Sequence, residues 1–322
     1  MYKKLLFSTF LLTLLTSCRD EFVFNIPPER AYEYNLISEI SPHEIVSVQL
    51  LESVPIGDQL RNIDRRDAIA TFHGEDIPGG FIEMAFNETS EKYHLVNEDF
   101  RVKEGNEYRV EIEVPDPDVD FISAATDIPV SIDFAIDIIS TERETISSRL
   151  SNHFVDLTLT FEPPVTLPAF YRIVPKRLKS VIRINRDGNV DVTDGPETSD
   201  MEIVQVLSAQ NAVTRYIHRP GITIDESRMT SEGITLRLKT TEPLADGPDI
   251  SSADGIEALN RLHIEVITLS KDLLDYDEWV DSRLVNQGAN IGSAPREAAN
   301  ITNASGVFGG FSRTIVTPRV GR

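Results

Sequence analysis

Asp116, Asp118 and Asp120 alternate along a short acidic segment and Asp127 closes a twelve-residue span, which is the residue type and spacing of a calcium loop. Phe121 falls at the sixth position, where the sharp turn needs glycine, and Pro117 restricts the backbone between the acids. The segment therefore reads as a solvated acidic turn between domains, and no metal is assigned to it. His43, His73, His94, His153, His218 and His263 never stand at the spacing of a metal pair, and none lies in a His-Glu-x-x-His setting, so a zinc site is not expected. A Gly-x-Ser-x-Gly elbow, a phosphate loop and a dinucleotide fingerprint are absent too. With 52 acidic residues any two carboxylates could meet, so paired acids for glycoside hydrolysis are a weak signal. No catalytic residue and no cofactor is assigned.

Cys18 is the one position where type and setting agree. It is the only cysteine, and Lys3 and Lys4, the apolar stretch Leu5 to Leu15 and the small residues Thr16 and Ser17 precede it in that order. That is the layout of a secretion signal over residues 1–17, too short to span a bilayer, which takes about 20 apolar residues. Leu15-Thr16-Ser17-Cys18 resembles the bacterial lipobox, whose cysteine receives a diacylglyceryl group. Cys18 is thus the expected lipid attachment site, and two or more acyl chains hold a protein stably at a membrane. Residues 18–30 would be the lipidated tether, with Pro27 and Pro28 and no clear period. With a single thiol the chain forms no internal disulfide, so ordinary burial and backbone hydrogen bonds must hold it together.

An apolar share of 40% and a charged share of 26% are those of a globular chain, and 322 residues exceed what one core usually organises. The formal charge of −21 repels phosphate backbones, which makes nucleic acid an unfavourable partner and suits solubility on a crowded surface.

Past Ala31 apolar residues recur at every second position in short runs rich in Ile, Val, Thr, Phe and Tyr, the period of half-buried strands. Val110, Ile112 and Val114 share one face. So do Val155, Leu157, Leu159 and Phe161, and Gly233 to Leu238 repeats the pattern. In Arg261 to Leu269 the alternation sets Leu262, Ile264 and Val266 inward and His263 and Glu265 outward. Asp187-Gly188-Asn189 is a hairpin signal between Ile184 and Val190. Val114-Pro115-Asp116-Pro117 ends a strand, since neither proline donates to a ladder. The predicted architecture is all-β: two tandem β-sandwich, Ig-like domains, the first over 31–126 and the second over 127–322. The second carries a short helix over about 271–287 and a Gly-rich tail. Ser270 caps that helix, and Leu273, Tyr276, Val280 and Leu284 form its packing face.

The most specific pattern closes the chain. Tyr276-Asp277-Glu278-Trp279 is followed by Asn300-Ile301-Thr302-Asn303-Ala304-Ser305-Gly306-Val307-Phe308-Gly309-Gly310, which resembles the end of an uncharacterised Bacteroidetes lipoprotein family, DUF4249. Ala304-Ser305 stands where that family more usually has a Gly-Leu type pair. Asp67 to Ala70, Gly105 to Tyr108 and Ala124 to Pro129 agree with its first half, and Arg19-Asp20-Glu21 resembles the short export signals of Bacteroidetes surface lipoproteins. The resemblance implies an all-β outer-membrane lipoprotein, often encoded beside TonB-dependent receptors, with no established activity to carry over. The expected role is a lipid-anchored, non-enzymatic binding or accessory module, cell-surface exposed, that partners such a receptor in nutrient uptake. A periplasmic facing is the alternative location. Surface adhesion or a structural envelope role is the alternative function, followed by an enzyme acting on glycans or peptides. Trp279, Asn300, Asn303, Gly306 and Phe308 are the candidate binding or partner-contact residues, with Gly306, Gly309 and Gly310 marking backbone that turns sharply or approaches another chain.

Overall fold

The computed structural model describes residues 33–53, 67–115, 119, 121–147, 150–161, 170–184, 190–228, 233–243, 262–285 and 300–316. Cys18, the tether and Asp116, Asp118 and Asp120 lie outside them. The protein is all-β with one short helix among the described residues, as the period-two patterning requires. No described helix is long and apolar enough to cross a membrane.

The first seven strands are β1 (Glu33–Ile40), β2 (Ser47–Ser53), β3 (Ile69–Gly74), β4 (Phe81–Asn87), β5 (Lys92–Leu95), β6 (Glu107–Glu113) and β7 (Ile122–Asp127). They enclose a core of Leu36, Val48, Phe72, Tyr93, Tyr108, Val110, Ile112 and Ile122, each nearly or fully buried. Tyr108 shows how the outer residues support it: its ring stacks on Phe72 at 5.4 Å and its hydroxyl accepts from Lys103 N at 2.8 Å. Burial pushes the Tyr108 hydroxyl pKa up, so it remains a neutral, hydrogen-bonded phenol at physiological pH.

The second core lies between two layers. One is the four-stranded sheet β12 (Glu202–Val206), β15 (Ile234–Pro243), β9 (Leu150–Phe161) and β8 (Phe134–Ser147), in that spatial order. Facing it are β10 (Phe170–Ile184), β14 (Ile222–Asp225) and β16 (Leu262–Leu269), with β13 (Val213–Thr214) at the edge and β11 (Val190–Asp200) beside the far half of β10. Leu157, Leu159, Ile234, Leu236 and Leu238 meet Tyr171, Ile173, Ile224, Ile264 and Val266 between the layers. The β10–β11 hairpin closes with Ile184 opposite Val190, as the Asp-Gly-Asn signal predicts.

The two cores divide between Ile128 and Ile132, beyond the prolines at 115 and 117. Hydrogen bonding does not stop there. The last strand, β18 (Ser305–Val316), lies parallel to β1 over residues 305–310 and antiparallel to β16 over residues 311–316. Preceded by β17 (Ile301–Thr302) on β7, it joins the strands of both units into one sheet of fourteen, with β11 branching from β10, among the described residues. Ile301 and Phe308, which the sequence division places with the second unit, therefore pack in the first core.

Helix α1 (Lys271–Val285) lies over this join. Ser270 caps it as expected, its Oγ accepting from Leu273 N at 3.3 Å and from Gly310 N at 3.1 Å. Leu273, Ile37, Val307, Phe311 and Leu269 form a third apolar cluster beneath the helix. The inward face departs from the predicted stripe: Leu274 and Asp277 are buried with Leu273, while Val280 and Leu284 are half-buried. Glu265, expected outward, is 3% exposed, because the sheet face opposite the second core is covered and the carboxylate is closed by Lys176 of β10 and Arg313 of β18.

At Gly306, φ is +117° and a Cβ would stand 2.1 Å from Leu36 O; at Gly310 it would stand 2.1 Å from Asp127 O. Gly306→Ala and Gly310→Ala are expected to lower stability in urea unfolding by about 2–4 kcal/mol, since each makes a clash that the neighbouring strand must relieve and Gly306 adds backbone strain at its positive φ. Gly79→Ala, at φ +85° with open space around the added carbon, is expected to cost only about 1 kcal/mol. Equal losses at all three positions would refute the close approach.

Candidate functional site

The residues proposed from the sequence converge, but on the chain itself. Asn300 Nδ2 donates to Ala125 O at 2.9 Å and to Phe308 O at 2.7 Å, while its backbone carbonyl accepts from Ala125 N at 3.2 Å. One amide thus clamps β7 to β18. Asn303 holds a left-handed turn at φ 60° and donates from Nδ2 to Phe121 O at 2.8 Å, a conformation asparagine tolerates better than most residues. Ser305, at the position where the family more usually has an apolar residue, donates to Tyr34 O at 3.3 Å and bonds the Asn35 side chain. Gly306 lets β18 run against Leu36, and Gly309 leaves room for Leu273, whose Cβ would sit 2.7 Å from an added methyl. Phe308 is fully buried in the first core. The close approach expected of these glycines is therefore to β1, α1 and the segment after β7.

The same pattern bears on family. The model of the domain of unknown function DUF4249 matches residues 19–315, from just after Cys18 through almost all of β18. The chain belongs to the DUF4249 family. None of the curated proteins matches it. In this DUF4249 chain the Asn-Ile-x-Asn-x-x-Gly-x-Phe-x-Gly element builds the join between the two cores. Of its side chains Thr302 and Asn303 are exposed, and the Asn303 amide donates to Phe121 O. Trp279 lies half-buried on α1, its ring 5.8 Å from that of Tyr276, and its carbonyl accepts from Ser282 Oγ at 2.7 Å.

A second constellation went unseen in the sequence. Asp277 of α1 is fully buried; its Oδ1 accepts from Arg219 Nε at 2.8 Å and from His218 Nε2 at 3.1 Å, and its Oδ2 from Arg172 of β10. Arg219 also bonds Glu39 of β1, and Asp281 accepts from Ile217 N at 2.6 Å. Strand β1, strand β10, the 215–221 turn and α1 are tied at one point. Because a carboxylate only accepts, His218 carries its proton on Nε2. Its Nδ1 is buried with no partner among the described residues. Burial lowers the Arg172 pKa, and the positive charge of Arg219 pushes the same way against Asp277 and Glu39. For Arg219 burial also lowers it, but the hydrogen bond and charge of Glu39 with those of Asp277 outweigh this and raise it. Burial, then the charges of Glu278 and Asp277, raise the Tyr216 pKa, keeping that phenol neutral beside the cluster.

Chemically, the carboxylate is the closed part of this arrangement; Arg172 Nε, like His218 Nδ1, is buried with no partner among the described residues. Asp277 is occupied on both oxygens, so it is not placed to take a proton from a substrate; it holds α1 in register over the sheet. Among the described residues no group of three or more His, Cys, Asp or Glu is placed to share a metal ion. The signal that could have found the cluster is Asp277 itself, a charge one turn past Leu273 on the helix face that packs inward. Arg172 gives no such signal, because its parity in β10 is that of the face away from the second core.

Asp277→Ala leaves Arg172 and Arg219 buried beside a cavity, and a loss of about 3–5 kcal/mol is expected in urea unfolding. A loss under about 1 kcal/mol would show the cluster to be solvated.

Asp272, on the first turn of α1, has its pKa raised by burial, against a lowering hydrogen bond from Thr126. A raised carboxyl favours folding most when protonated, so its contribution is full below the ordinary value of 3.8 and is lost as pH rises through the folded value. Asp272→Asn removes that dependence. Its stability relative to the parent is expected to be highest near neutral pH and to decline on acidification toward 3.8, measured by unfolding across that range. A difference independent of pH would contradict the burial.

Proposed function

We propose that this DUF4249 protein is a lipid-anchored binding or accessory module of the outer membrane, working beside a TonB-dependent receptor in nutrient uptake. What supports the reading most is where the polar chemistry goes: both Asp277 oxygens are taken up by Arg172, His218 and Arg219, and the family's own motif is used in joining the cores. Toward solvent the protein presents strand surface, with Ile69, Phe81, Ile139 and Ile146 exposed. Such a surface suits contact with another macromolecule. The clamp from Glu39 through Arg219 to Asp277 holds the two units in one orientation, which suits a module that presents a fixed face to a partner.

Attachment through Cys18 leads to a direct test. Cys18→Ser is expected to move the protein from the membrane fraction to the soluble fraction, with loss of the acyl mass. A protein that stays with the membrane unchanged would refute the anchor. Tagged at its C-terminus and extracted from its native envelope in mild detergent, the parent is expected to bring down a TonB-type receptor, and deletion is expected to impair growth on the nutrient that receptor imports. A lipoprotein that elutes alone, with deletion abolishing attachment but sparing growth on every carbon source, would replace the accessory role with adhesion.

A further inference from the structure

The edges of the sheets are unequal. The long path ends in β13 and β17, two residues each, which offer almost no template for another strand. The edge strand β12 has five residues and a register shift between Ile203 and Gln205. The edge strand β11 is longer, but its pairing with β10 lapses over Gly195, Pro196 and Glu197, and a proline cannot donate to a ladder. Among the described residues the remaining edge is β8, fourteen residues with neither glycine nor proline, paired there with β9 alone.

Ile139 and Ile146 are the residues at which the β8–β9 register shifts, so neither has a partner on β9. Both are turned out to solvent, 60% and 53% exposed. Seven residues apart, they bracket roughly 23 Å of open backbone edge. Between and beside them Asp137, Glu142 and Glu144 outnumber Arg143, so the edge is acidic. It is also firmly backed. Arg237 of β15 pairs with Glu142 and Asp156 and lies 4.8 Å over the Phe154 ring. Asn152 donates to Glu144 at 3.2 Å, and Ser140 donates to Asp156 at 2.9 Å.

We propose that β8 is a docking edge for an extended segment of a partner protein, which adds as a further strand. Its basic side chains would lie against Glu142 and Glu144, and its apolar side chains against Ile139 and Ile146. A second copy of this chain, paired at the charged stretch that the proposal uses, fits poorly. Two-fold antiparallel pairing centred on Arg143 sets Arg143 against Arg143 and Glu142 against Glu144, and centring on either acid sets that acid against itself. Charges and bulges also guard an edge against indiscriminate pairing, which limits the partner to a strand that matches them. This assignment rests on the accessory-module reading and adds the surface through which it acts.

The test places a photo-cross-linking residue at position 139 or 146 of the full chain in the native host, with position 69, 61% exposed on the first unit, as control. Adducts of one heavier partner from 139 and 146 but not from 69 are expected. The double variant Ile139→Asp, Ile146→Asp, at exposed sites, is expected to recover at least tenfold less of that partner on co-purification. A partner that co-purifies undiminished with the double variant and forms no adduct at either position overturns the docking edge and leaves the accessory role standing. Adducts of twice the chain's own mass overturn the choice of occupant. No partner with the unsubstituted chain overturns both.

Discussion

The last strand has no room for side chains at three places, and the molecule is organised around that fact. β18 passes within contact of the Leu36 carbonyl at Gly306, of Leu273 at Gly309 and of the Asp127 carbonyl at Gly310. Only backbone fits there, and the close fit lets the strand bond β1 on one stretch and β16 on the next. Phe308 then enters the first core from the half of β18 that lies on β1, while the other half runs beside β16 of the second unit. Full burial of such a ring contributes about 2–3 kcal/mol, but here it also settles which units are joined.

The helix that covers the join is held by charge as well as by apolar contact. Removing a carboxylate and two guanidinium groups from water is costly, and their mutual attraction repays this only with good geometry, so the Asp277 cluster adds little net stability compared with apolar packing. What it adds is direction. An apolar face such as Leu273, Val307 and Phe311 tolerates small slides of the helix, whereas Asp277 finds Arg172, His218 and Arg219 together in one placement. Glu39 extends that registration to β1 of the other unit.

Much of this was legible in the sequence, and the rest fails for identifiable reasons. Alternation reported strands and their inward residues faithfully at Val110 to Val114, at Val155 to Leu159 and at Leu262 to Val266, because burial on one face imposes the period directly. The Ser270 cap on Leu273 N and the pairing of Ile184 with Val190 are local and were readable for the same reason: the partners lie within a few residues of each other. Glu265 reads as solvent-facing because alternation assigns a face, not what covers it, and here Lys176 and Arg313 cover it. The pairing of Asn35 with Ser305 was out of reach altogether, since a single strand's pattern does not encode its neighbour across most of the chain. The glycines at 306, 309 and 310 announced a close approach; only the coordinates name its object as the chain's own backbone and helix.

Parallel pairing of the first strand with the last also sets an order of assembly. During synthesis from the amino terminus, β1 emerges early and meets β2 directly, but its parallel neighbour is made only after most of the 322 residues. Until then the first core lacks Phe308 and β16 lacks its partner β18, so neither unit is complete ahead of the other. Both close only when the tail arrives.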